Sequence, residues 1–179
     1  STLLTRAWPP CGRWRAHASM SLADKWPLVT SASNSRLKLI KRLHARRQRD
    51  RLGLVLLEGH RLVLDALEAG QRPTLLLVAD ELASRPEAEA VRTAAARLAE
   101  GSVARVPMSM LDSLSDTQTP QGVLAVVPQP TLAPPKAPRR VLVLDRTSDP
   151  GNMGTLLRSA TGAGAQVAVV LPGSCDPWG

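Results

Sequence analysis

Phenylalanine and tyrosine are absent from this 179-residue chain, and its aromatics are four tryptophans. A core without those rings must be filled by Leu, Val and Ala, through many small contacts rather than a few large anchors. Cysteine is scarce. Cys11 and Cys175 lie far apart and neither belongs to a CxxC or other metal-like pattern, so nothing suggests a metal site, and a reducing compartment is the simpler setting. No apolar run is long enough to span a bilayer. Acidic residues are missing altogether before Asp24. Dinucleotide and P-loop glycine spacings are missing too, since Gly151 and Gly154 form only GxxG.

What the chain has in excess is positive charge: 23 Lys and Arg against 15 Asp and Glu, a net +8. That balance suits a polyanion, and RNA fits better than a membrane surface. Part of the excess sits in residues 1–30, which carry Arg6, Arg13, Arg15 and His17 among Ala, Ser and Thr. This is the composition of an organellar transit segment, whereas a secretory signal would need a longer apolar stretch. A translated leader, or a start at Met20, is the alternative. The sequence opens on Ser rather than Met, so a start upstream of it stays open.

The most basic stretch is Ser31 to Arg51. Leu37, Ile40 and Leu43 form a narrow apolar seam, ringed by Arg36, Lys38, Lys41, Arg42, Arg46, Arg47, Arg49 and Arg51. A helix capped by Ser33 or Asn34 would dock by its seam and present cations outward. Few acids interleave with them, which favours phosphate contact over a merely solvated face. The RNA-binding candidates are Arg36, Lys38, Lys41, Arg42, Arg46 and Arg47. His44 reads as an isolated surface residue. Glu58, beside a glycine at a strand-to-helix junction, is expected to cap or orient backbone and is assigned no chemistry.

Strands are expected at Leu54–Leu57, Thr74–Ala79, Val103–Val106 and Val123–Val127, with helices around residues 62–67, 86–99 and 109–114. This alternation implies a compact α/β layer structure over residues 31–128. PQPTLAPPKAP, within residues 129–138 and the proline before them, can form neither helix nor ladder and reads as an extended linker.

Beyond it, RRVLVLDRTSDPGNMGTLLRSATGAGAQVAVVL over residues 139–171 reads as strand, loop, helix, strand. Val141 to Leu144 has the pattern of a strand buried on both faces. From Asn152 the period changes, with Met153, Leu156, Leu157 and Ala160 on one helical face turned to the sheet. Thr155 and Arg158 then fall on another face, near the carboxyl edge of the strands where open α/β sheets bind ligands. Asn152 can cap this helix or reach over the same crevice. On spacing alone, an Asn cap with a solvated Arg accounts for these residues equally well.

The segment LDRTSDPGNMGTLLRSATGAGA resembles the first signature motif of the SpoU, or TrmH-like, branch of the SPOUT RNA methyltransferases, which move a methyl group from S-adenosylmethionine to a ribose 2′-hydroxyl. LLEGHRLVLDAL and LSDTQTPQGVLAVV resemble the small substrate-binding domain, similar to ribosomal protein L30e, that precedes the catalytic domain in many of these enzymes. The resemblance implies an α/β fold made of an L30e-like domain followed, at residues 139–179, by the first βαβ unit of an α/β-knot methyltransferase domain. It also implies catalytic roles for Asn152 and Arg158, and S-adenosyl-L-methionine as cofactor. In the family the Arg is described as a base. A guanidinium scarcely gives up its proton, so orienting the hydroxyl and stabilising the developing alkoxide is an equal reading.

The family's later motifs, which form its knotted cofactor pocket and much of its homodimer interface, do not follow within these residues. The expectation is therefore a methyltransferase acting on RNA, ribosomal rather than transfer RNA, present here as a front half without cofactor-binding residues of its own. A full-length member would be a homodimer in a mitochondrion or chloroplast. Two alternatives remain: a non-catalytic RNA-binding protein keeping the basic helix and small domain, and an ordinary α/β domain whose basicity serves targeting.

Overall fold

The computed structural model describes residues 25–117, 120–130, 133 and 135–179. The leader, as far as residue 24, lies outside the described residues.

The elements from Ser35 to Pro128 pack as a three-layer α/β unit. Strands β1 (Leu54–Glu58), β2 (Leu75–Ala79), β3 (Val103–Val106) and β4 (Val123–Pro128) form one sheet in the order β1-β4-β2-β3. β4 runs antiparallel to both β1 and β2, and β3 parallel to β2. The central strands are Leu, Val and Ala throughout because both faces are covered. Alternation along β2 sends Leu76 and Val78 into one apolar cluster and Leu75, Leu77 and Ala79 into the other. The first cluster packs on α3 (His60–Glu68), α4 (Asp80–Ala83) and α5 (Glu89–Ala95), which contribute Val63, Leu67, Ala83, Val91 and Ala95. The second takes the seam Leu37, Ile40 and Leu43 of α1 (Ser35–Leu43) with Leu111 of α6 (Met108–Asp112). Each seam side chain is buried, worth roughly 1.5–3 kcal/mol relative to exposure.

Several expectations are corrected. The basic stretch is two helices, since the chain breaks at His44 and Ala45 before α2 (Arg46–Leu52). The Asn34 side chain does cap α1, accepting from the Arg36 N–H at 2.9 Å. The alanine-rich helix shrinks to a 3-10 turn, Pro86–Ala88, and α5, whose start Arg92 ties to the end of α4 by donating back to the Ala83 and Arg85 carbonyls. Residues 25–30, read as the end of the leader, include part of the folded unit. Trp26 is only 8% exposed, and Pro27 to Val29 pair with the open edge of β3: Arg105 N–H donates to Pro27 O and Val29 N–H to Arg105 O. An edge strand presents unpaired backbone, and this segment satisfies it.

None of the described residues between Gln129 and Arg140 lies in a helix or strand. After them come β5 (Val141–Leu144), α7 (Pro150–Gly162) and β6 (Val167–Val170), the last parallel to β5. Here the strand buried on both faces does not materialise. α7 covers one side of a two-stranded sheet, and Val141, Val143 and Val169 remain exposed on the other. The sheet is also too narrow to receive the whole apolar stripe. Met153 is buried and Leu157 and Ala160 half-buried, while Leu156 is 42% exposed.

Candidate functional site

The carboxyl edge of β5 and β6 is closed by its own loops. Ser174 Oγ donates to Leu144 O and accepts from Thr147 N–H, and Cys175 N–H donates to Thr147 O. Arg146, between them, holds φ at 51°, a left-handed conformation that side chains rarely adopt and that concentrates at functional loops. Nothing in the sequence signals it, because the strain comes from loop closure: the Cγ of Arg146 packs beside Gly173 in the loop after β6.

α7 opens on this edge. Its cap is Asp149, whose Oδ1 accepts from Asn152 N–H at 2.6 Å, with Pro150 in the first turn. Asn152 is therefore not the cap, and its exposed side chain is free of that duty. Arg158 leans back toward the N-terminus, as helical side chains do. Its Nη2 donates to Thr155 Oγ1 at 3.2 Å, and that hydroxyl donates to Gly151 O at 2.9 Å. Nη1 lies where a Cβ on Gly154 would approach within 3.2 Å, so the glycine gives the guanidinium room on the helix surface. Among the described residues no carboxylate pairs with Arg158. The edge thus offers an exposed amide, a hydroxyl and an unpaired guanidinium beside a helix N-terminus. The amide and the guanidinium are the donors left free, suited to an oxygen that gains negative charge, while the Thr155 hydroxyl, its proton given to Gly151 O, positions the guanidinium.

The cationic candidates divide. Lys38, Lys41 and Arg42 on α1 and Arg46 and Arg47 on α2 are exposed, and Arg42 donates to Gln48 across the break at 3.3 Å. Arg46 pairs loosely with Asp50 at 3.7 Å, both more than half exposed, a contact worth little in water. Arg36 is half-buried and reaches toward Gly101. Arg49, one of the ring of cations in the sequence, is in fact buried at 8% exposure. Its Nη1 donates to the carbonyls of Leu43 and His44, and its Nη2 to Asp176 Oδ2 at 2.6 Å. It ties the break between α1 and α2 to the loop after β6.

Two other expectations change. His44 is half-buried, with Nδ1 2.5 Å from Asp116 Oδ2 and Nε2 2.8 Å from Leu114 O. Glu58 orients hydroxyls rather than backbone, accepting from Ser115 Oγ and from Thr117 Oγ1. Both depend on the 114–117 loop, far away in sequence, so no local pattern announces them.

A family described as the MRM3-like substrate binding domain matches residues 34–125. The chain is 35% identical over 138 residues to mitochondrial rRNA methyltransferase 3 of Mus musculus, covering 73% of this chain and 32% of that protein. It is 33% identical over 152 residues to the 23S rRNA (guanosine(2553)-2′-O)-methyltransferase RlmP of Bacillus subtilis, covering 84% of this chain and 56% of the relative. The solved SpoU methyltransferase AviRb of Streptomyces viridochromogenes, in complex with the cofactor AdoMet, superposes with a TM-score of 0.65 at 26% identity, over 81% of this chain and 56% of that one. The chain thus spans from about a third to a little over half of the length of these proteins.

Proposed function

Because this chain belongs to the family of the MRM3-like substrate binding domain, carried by SpoU and TrmH-type RNA methyltransferases, we propose that it supplies the RNA-binding and acceptor-positioning part of an rRNA ribose 2′-O-methyltransferase. The observation that carries the reading is the pairing of an exposed cationic surface on α1 and α2 with donors gathered at the N-terminal end of α7. The cations of Lys38, Lys41, Arg42, Arg46 and Arg47 hold phosphates. Asn152 and Arg158 meet the ribose hydroxyl. Arg158 stays protonated, so it donates to the hydroxyl oxygen and stabilises it as the proton leaves, rather than removing that proton itself. Thr155 holds the guanidinium in place.

S-adenosylmethionine supplies the methyl group in such enzymes. The described residues do not fit it at this site. The carboxyl edge is laced shut by Ser174, and the roughly 550 Å³ cavity after β6 is lined by neither Asn152 nor Arg158. Ribosomal RNA is the substrate and the mitochondrion the compartment, a reading supported by the names of the relatives. Residues 1–24 serve as a transit segment, and the working assembly is a homodimer.

The test is a labelled methyl-transfer assay with calorimetry. These 179 residues alone are expected to bind RNA yet give no cofactor heat and no transfer. In a longer protein that contains them and is active, Arg158→Ala should lower kcat by about 100-fold or more while leaving cofactor affinity nearly unchanged. Full activity of that variant removes Arg158 from the site.

A further inference from the structure

Resting on the reading that this chain binds RNA, we propose that Trp178 is a stacking platform for one unpaired base of the bound strand, and that Glu58 and Asp116 read the N–H edge of that base. Trp26 and Trp178 are the aromatics among the described residues. Trp26 belongs to the core, whereas Trp178 is 36% exposed. Stacking on an aromatic face is how unpaired RNA bases are held, and no Phe or Tyr exists in the chain to share the task.

Trp178 is anchored from beneath. Its backbone N–H donates to Asp176 Oδ1 at 3.1 Å, and Asp176 in turn accepts from Arg49 at 2.6 Å. The side chains of that ion pair are 9% and 13% exposed, and Arg49 also grips the Leu43 and His44 carbonyls. The segment bearing the ring cannot drift without breaking a buried pair, so the platform is organised before RNA arrives.

A cavity of about 360 Å³ opens against Trp178, with Leu62 on its apolar side and His44, Glu58, Asp116 and Thr117 on its polar side. That volume suits a small planar ligand. The polar wall is braced: Thr117 Oγ1 donates to Glu58, and His44 holds Asp116. It is richest in carboxylate oxygens, which accept hydrogen bonds. Guanine offers N1–H and the N2 amino group to such a wall, whereas adenine would turn its own N1 lone pair toward it, so guanine is preferred. Arg46 lines the neighbouring cavity that Trp178 also borders, which puts a cation where the phosphates of the same strand run.

The experiment titrates the 179-residue chain with short uridine-rich RNAs carrying one central guanosine or adenosine, reading affinity and tryptophan emission. Guanosine RNA should bind more tightly and quench emission. Trp178→Ala should weaken it about tenfold, Trp178→Phe should recover most of that, and Glu58→Gln should erase the preference for guanosine. RNA binding that Trp178→Ala leaves unchanged overturns the platform while the RNA-binding reading stands. Equal weakening by Ala and Phe with a lowered unfolding temperature assigns Trp178 a structural role and also overturns it. No binding of any RNA by the unaltered chain sinks both.

Discussion

The two sheets are made of the same residues and end in different states. In the four-stranded sheet, β2 and β4 are covered on both faces, and Leu76, Leu77, Leu124 and Ala125 have no solvent exposure. In the β5–β6 pair, Val143 is 57% exposed although its strand reads VLVL. Valine and leucine runs report a strand; they do not report how many layers will cover it. The difference also separates the tasks. The closed domain holds a fixed surface of cations, which under the proposed function meets RNA, while the open unit presents donors at one edge and is steadied by its tie to the closed domain through Arg49 and Asp176.

That contrast can be broken most forcefully in the core. Ile40→Ala, at a site with no exposure, should cost about 2–5 kcal/mol in denaturant unfolding, whereas Val143→Ala on the bare face should fall within about 0.5 kcal/mol. Equal losses would mean that the bare face is covered in solution. Next comes the tie. Arg49→Ala leaves Asp176 and two carbonyls without their partner and should cost about 3 kcal/mol, with increased protease cleavage around residues 129–138 as a second readout.

A smaller effect is expected from acid. Burial pushes the Asp176 carboxyl up, but the Arg49 hydrogen bond, the Trp178 N–H and the charges of Arg49 and Arg46 together hold it below its ordinary 3.8. A lowered folded value means the contribution is whole above 3.8 and is lost as pH falls through the folded value. Unfolding curves of the native chain and of Asp176→Asn should therefore differ at neutral pH and converge in strong acid. A gap that persists there would assign the loss to something other than charge. The smallest expected change is Gly154→Ala. Its methyl must displace the tip of Arg158 by a few tenths of an ångström, so stability should hold while the Arg158→Ala phenotype in methyl transfer appears in weakened form.

Much of this was legible in the chain. The strands fall within a residue or two of their expected limits, and the seam of Leu37, Ile40 and Leu43 lies in the core as its spacing requires. The position of Arg158 near the sheet edge follows from helical period. What could not be read depends on partners far away in sequence. Arg49 looked like one cation among many until Asp176, 127 positions later, gave it a partner. The break at His44 is stabilised by that same side chain. Trp26 carried the composition of a leader, yet it packs in the first apolar cluster, where the pairing of Pro27 and Val29 with the open edge of β3 places it. The covered or bare state of β5 and β6 is likewise a property of neighbours, not of VLVL or VAVV.

Under the proposed function the closed domain meets RNA through the phosphates, with α1 and α2 as the contact. That contact is tested most directly by the affinity of the chain for structured RNA as a function of salt. Log affinity should fall linearly with log salt, about tenfold or more between roughly 50 and 200 mM, with a further loss and a shallower slope when Arg42, Arg46 and Arg47 are changed to Glu. Binding that ignores salt, or no binding at low salt, would contradict it.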